Sequence, residues 1–115
     1  MTTIYKGFEG FINTHAYLIV VDNATGESKR FEFGPKKSDG GHGTGNKSDN
    51  SLLPIPGHFA VVKGSLNGES KVGVSKYKLS SLETLARNKY HDKIYWVFGM
   101  NCQHVAKLFV NDFCS

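Results

Sequence analysis

Two short runs constrain this chain more than anything else in it. HAYLIVVD (15–22) is β-branched and aromatic, and KRFEFGP (29–35) alternates, with Phe31 and Phe33 on one face and Arg30 and Glu32 on the other. NATGES lies between them, a turn cluster centred on Gly26. Runs of period two joined by a short glycine-containing turn predict an antiparallel hairpin, and whatever else the chain does must be built around that ribbon.

The remaining elements follow from the same periodicities. HFAVVKG (58–64) reads as a third strand, KVGVSKYKL (71–79) as a fourth, and KIYWVF (93–98) as a last strand or extended segment. SSLETLARNKY (80–90) reads as a helix capped by Ser80 or Ser81, with Glu83 at a capping-box position and Leu82, Leu85 and Ala86 sharing a face. CQHVAKLFVNDF (102–113) reads as a second helix with Val105, Leu108 and Phe109 as its buried stripe and Asn101 as its N-cap. The predicted class is α+β, an antiparallel sheet with about two packed helices. At 115 residues the chain is long enough for one domain with its own core, and residues 1–115 are read as such. The segment 36–51 has almost nothing apolar and four glycines (Gly40, Gly41, Gly43, Gly45), and is expected to be a mobile loop over the domain.

Composition narrows the function classes. No run approaches the roughly 18 apolar residues of a membrane span, and MTTIYKGFEGF lacks the charged-then-apolar pattern of a signal peptide. A protein cytoplasmic as made is expected, with export by a machine that reads no such signal left open. Lys and Arg outnumber Asp and Glu by 14 to 10, which favours encounter with anionic surfaces such as bacterial cell wall. The basic residues are scattered, so neither a nucleic-acid footprint nor a membrane-binding stripe emerges. No motif implies a cofactor.

The two cysteines, Cys102 and Cys114, are twelve residues apart on the second predicted helix, about 18 Å along its axis. That span excludes a disulfide between them and points to a reduced compartment with free thiols. Cys102 is the more informative. A thiol opening a helix feels the positive end of the macrodipole and the unpaired amides there, which lower its pKa. A nearby imidazole would complete an activated nucleophile, and the amides at the turn, with Asn101 as cap, are placed to stabilise an oxyanion. The plainer reading is a small buried apolar residue, common for free cysteines. Among the histidines, His15 begins the first predicted strand and His58 begins another, so both are candidate bases. His104 lies two residues past Cys102, about 200° around the helix, and suits a substrate-side contact better than the base. Cys102 and His104 lack the spacing of a metal site, and no metal is expected.

A histidine opening a strand, a polar residue before GP at the end of the next, and NC-x-H opening a late helix resemble the circularly permuted papain-like group. That group includes NlpC-like cell-wall peptidases in permuted form and lecithin retinol acyltransferase-like proteins. The resemblance spans roughly residues 13–112 and is most specific at NCQH. It implies a permuted papain-like fold with Cys102 as nucleophile, His15 as base and Glu32 as the residue orienting the imidazole. The chain departs from the acyltransferase group in having Glu where a second His is usual. A carboxylate also orients an imidazole and stabilises its cation, so the logic of the triad survives.

The function expected is therefore thiol-dependent hydrolysis of an amide bond, in a peptidoglycan peptide or a protein substrate, through a thioester on Cys102. The alternatives are an acyltransferase or thioesterase on a lipid or acyl-carrier donor, and a non-catalytic binding module of the same fold. Compact papain-like domains resembling this one also occur as bacterial toxins or effectors, which implies an immunity protein as partner.

Overall fold

A computed structural model of the protein describes residues 1–10, 15–35, 55–91, 93–95 and 101–114. In chain order the elements are β1 (Thr2–Glu9), β2 (His15–Asp22), β3 (Ser28–Pro35), β4 (Ile55–Lys63), β5 (Ser70–Ser75), α1 (Leu79–Tyr90), β6 (Ile94–Tyr95) and α2 (Cys102–Phe113). The strands form one antiparallel sheet in the order β5-β1-β2-β3-β4-β6, so the α+β class holds. The segment 36–51, expected to be a loop, and the extension of the last strand through 98 lie outside the described residues.

The hairpin forms where its pattern placed it. Gly26 takes a φ of 79°, a left-handed value that a side chain would disfavour. The Asp22 carboxylate accepts the amides of Ala24 (2.9 Å) and Thr25 (3.2 Å), pinning the turn. Its other oxygen accepts the amide of Leu79 at 3.4 Å, the first residue of α1. That contact corrects the expected cap: Lys78 is the N-cap and its side chain makes no capping hydrogen bond, so α1 starts one residue before Ser80 and draws its acceptor from the hairpin turn. Glu83 bonds Lys29 and Arg87 instead of closing a capping box.

Both helices pack on one face of the sheet. Leu79, Leu82, Ala86 and Tyr90 of α1 and Cys102, Val105, Ala106 and Phe109 of α2 are buried against Ile4, Leu18, Val20, Phe31, Phe33 and Phe59. Leu85, expected to share the buried face, is 37% exposed, while Leu108 is partly buried. Phe31 stands edge-on to Phe59 and Phe109 at 5.9 and 5.6 Å between centroids, a favourable arrangement for ring quadrupoles. The N-terminal strand β1, which the sequence pattern did not reveal, lies between β5 and β2 in the sheet. Among the described residues no helix is long and apolar enough to cross a membrane.

The β2–β3 ladder ends at Leu18 and Phe31. Beyond it β2 stays paired with β1 down to His15 opposite Glu9, and β3 stays paired with β4 out to Pro35 opposite Gly57. The N-terminus of α2 sits against this end of β2, where the Ala16 amide reaches Cys102 Sγ.

Candidate active site

α2 begins at Cys102 because Asn101 is an effective cap. Its backbone is extended (φ −126°, ψ −175°), and its side chain accepts the amides of Gln103 and His104, both at 3.1 Å. The thiol at the first helical position is 7% exposed and packs toward the sheet, as its spacing from Val105 requires. On its inner side it shares a cavity of only about 10 Å³ with Ala16, Leu18, Phe31 and Val105.

The sulfur is not, however, in purely apolar surroundings. Ala16, beyond the last β2–β3 pair, gives its backbone amide to Cys102 Sγ at 3.4 Å. The His15 imidazole is hydrogen-bonded to the same thiol. On its other side His15 Nε2 lies 2.7 Å from Glu32 Oε1. An ionised carboxylate can only accept, so Nε2 carries the proton in that bond and Nδ1 is left for the sulfur. Cys102, His15 and Glu32 are thus brought together from α2, β2 and β3.

The electrostatics follow from these contacts. Burial pushes the Cys102 thiol up, but the His15 hydrogen bond, the Ala16 amide, the imidazolium charge and the Gln103 amide outweigh it, and the pKa is lowered. His15 is raised from 6.5 to about 9, by its hydrogen bond to Cys102 first and that to Glu32 second, against the opposing effect of burial. The two shifts point the same way, each favouring the charged form of its group. Cys114 contrasts with it. Burial pushes its thiol up, and nothing acts against that.

Arg30 is the participant that sequence reasoning did not assign. Its Nη2 donates to Glu32 Oε1 at 3.0 Å, the oxygen His15 also uses, and the guanidinium forks onto both oxygens of Glu9. The same group lies 4.0 Å over the ring of Tyr17. Tyr17 in turn donates its hydroxyl to Glu69 at 2.6 Å, which raises the phenol to about 12. The signal was present in the alternation of β3, since Arg30 and Glu32 share a face, but nothing local showed that the arginine would reach the carboxylate's working oxygen.

The other candidates are sorted by position. His58 is half-buried on β4 opposite Gly34, and the imidazole on the thiol is that of His15. His104 is exposed and, with Asn101, lines an open groove beside α2. Glu9, His15 and Glu32 offer ligand atoms within 4.8 Å of one another. The Arg30 guanidinium pairs with both carboxylates there and His15 pairs with Glu32 as well, so the trio is already an ion-pair network and is not read as a cation site.

Compared with family models, with curated proteins and with solved structures, the chain matches none. The reading of the site therefore rests on its own geometry.

Proposed function

We propose that the chain is a cysteine-dependent hydrolase of permuted papain-like type that cleaves an amide bond, in a peptidoglycan peptide or a protein substrate, through a thioester on Cys102. The observation that carries this is the continuous relay Cys102–His15–Glu32 at the start of a capped helix. A merely buried thiol needs neither an imidazole nor a carboxylate behind it.

The chemistry follows the contacts. The Cys102 thiolate adds to the substrate carbonyl, and the oxyanion that forms lies at the positive end of the α2 dipole. The protonated His15, held in orientation by Glu32, gives its Nδ1 proton to the departing amine, and the C–N bond breaks. Water then loses a proton to the neutral imidazole and adds to the thioester carbonyl. The tetrahedral adduct collapses, the C–S bond breaks to release the acid, and the Cys102 thiolate is left beside the imidazolium that keeps water's proton. Glu32 holds one tautomer and offsets the imidazolium charge without taking the proton itself.

The test is selective alkylation. At about pH 6 a thiol of ordinary pKa is nearly inert, so iodoacetamide should label Cys102 and spare Cys114, as read by peptide mass spectrometry. Replacing His15 with Ala should abolish that selectivity. The wild-type chain should hydrolyse members of a panel of acidic peptides and cell-wall fragments, and Cys102→Ala should not. Equal sluggishness of the two thiols would end the proposal.

A further inference from the structure

We propose that the groove alongside α2 binds a short, extended, acidic peptide segment and is the substrate-recognition site serving Cys102. The groove encloses about 480 Å³ between the flank of α2 and strands β1 and β5. Gln103, Lys107, Val110 and Asn111 form its helical wall, at the spacing that keeps side chains on one flank, and Lys6 and Val72 form the strand wall. From Gln103 to Val110 the helix rises about 10 Å, the length of roughly three residues of extended chain.

Its chemistry selects the occupant. Lysines stand on both walls, and among the described residues neither has a carboxylate partner, whereas Lys29 and Lys89 are each paired with one. Lys6 instead lies 5.2 Å over the ring of Phe8, which is 46% exposed. Val72, 37% exposed, offers a second apolar contact. Two cations facing each other across a polar trough with apolar patches suit carboxylate side chains on a peptide backbone that Gln103 and Asn111 can hydrogen-bond.

The groove also ends in the right place. Asn101 and Gln103, the residues on either side of Cys102, both line it. Phe8, on the same face of β1 as Lys6, is paired with Ala16, whose amide reaches the sulfur. A peptide lying along α2 therefore runs toward the helix N-terminus and the thiol. Its role as a substrate site rests on the hydrolase reading, while its binding of acidic peptide does not.

The experiment separates the two. Isotope-labelled Cys102→Ala protein, unable to form a thioester, is titrated with a blocked Ala-Glu-Glu-Ala peptide, with its Ala-Lys-Lys-Ala counterpart, with a short single-stranded oligonucleotide and with anionic lipid vesicles. The acidic peptide should shift the amides of β1 and of residues 103–111 in a salt-sensitive manner, and the basic one should not. The Lys6→Glu/Lys107→Glu double variant should weaken binding on the order of tenfold or more, because attraction is replaced by repulsion at two positions. Lys107→Gln, at an exposed position, gives a milder loss in case the double variant is poorly folded. Absence of shifts in the groove, equal response to the basic peptide, preference for oligonucleotide or vesicle, or indifference to the lysine variants would overturn the assignment. Binding without selective alkylation of Cys102 would sink the hydrolase reading alone, and alkylation without binding would sink the groove alone.

Discussion

Arg30 and His15 donate to the same oxygen, Oε1 of Glu32, at 3.0 and 2.7 Å. Two cations on one carboxylate oxygen have opposing consequences. The guanidinium fixes the carboxylate in place for the imidazole, yet it also draws off part of the charge that would otherwise stabilise an imidazolium there. The carboxylate that orients the imidazole is therefore itself held, by an arginine that Glu9 and Tyr17 fix from the other side.

Glu32→Gln should cost reactivity without dismantling the site. An amide of the same shape can still accept from His15 Nε2, but the charge is gone, so His15 should titrate below about 9 and the Cys102 thiolate should lose part of its partner. Each unit by which the thiol's pKa climbs removes about tenfold of the thiolate below it. The expected order of damage to activity is Cys102→Ala and His15→Ala first, Glu32→Gln less. A Glu32→Gln variant as dead as Cys102→Ala would mean the carboxylate is doing chemistry of its own.

Arg30→Met should move the acid limb of Cys102 alkylation to higher pH, since the Glu32 carboxylate would lose the donor that holds it against His15. Arg30→Lys keeps the charge but not the fork, and should restore the limb in part. A purely structural arginine would lower the unfolding midpoint in both variants and leave the limb where it was. Alkylation rate against pH distinguishes these outcomes.

The raised His15 pKa also predicts the sign of a stability effect. A group whose folded pKa lies above its unfolded value contributes stability that is complete below the unfolded value, 6.5, and is lost as pH rises through about 9. The stability gap between wild type and His15→Gln should therefore be widest below about pH 6.5 and close through about pH 9 in denaturant titrations. A gap that widened with rising pH would show that His15 is neutral in the folded protein.

How far the site could be read from sequence depended on the range of the interactions. The β2 and α2 boundaries were legible because period-2 and period-3.6 patterns are local, and Asn101 was legible because a cap reaches only two or three residues onward. The meeting of Cys102, His15 and Glu32 came from family resemblance, since 86 residues separate Ala16 from the thiol it touches. β1 escaped notice for a physical reason. Thr2 and Ile4 are buried, but Lys6 and Phe8 on the same face look onto or near the groove, and Gly7 lies under the Tyr17 ring. Its hydrophobic alternation is broken where it borders the groove. Leu85 was misread because α1 turns Tyr90 inward and leaves Leu85 on the flank.

The cap of α1 makes the same point testable. Asp22→Ala removes the acceptor for Leu79 together with those for Ala24 and Thr25, so hairpin turn and helix start are loosened at once. Thermal unfolding should show a clear fall in midpoint, and Ser81→Ala, at one of the two positions (Ser80 or Ser81) that sequence offered for the cap, should show almost none. A reversed order would restore Ser81 as the cap in solution.

Asn101 links stability to reactivity in one residue. Its side chain satisfies the Gln103 and His104 amides, and Asn101→Ala should cost about 1 kcal/mol of stability, with Asn101→Asp or Asn101→Ser close to neutral. The consequence for the thiol is separate. The Gln103 amide is one of the groups that lower the Cys102 pKa, and it is held in place by this cap. Fraying of the first turn should thus raise the thiol's pKa and slow its alkylation at about pH 6, while reactivity near pH 9 converges on wild type. Asn101→Asp separates field from geometry: it keeps the cap but adds a negative charge beside the sulfur, so stability should hold while the thiol's pKa rises. Loss of stability with unchanged alkylation in Asn101→Ala would show that the His15 and Ala16 contacts activate Cys102 without help from the helix start.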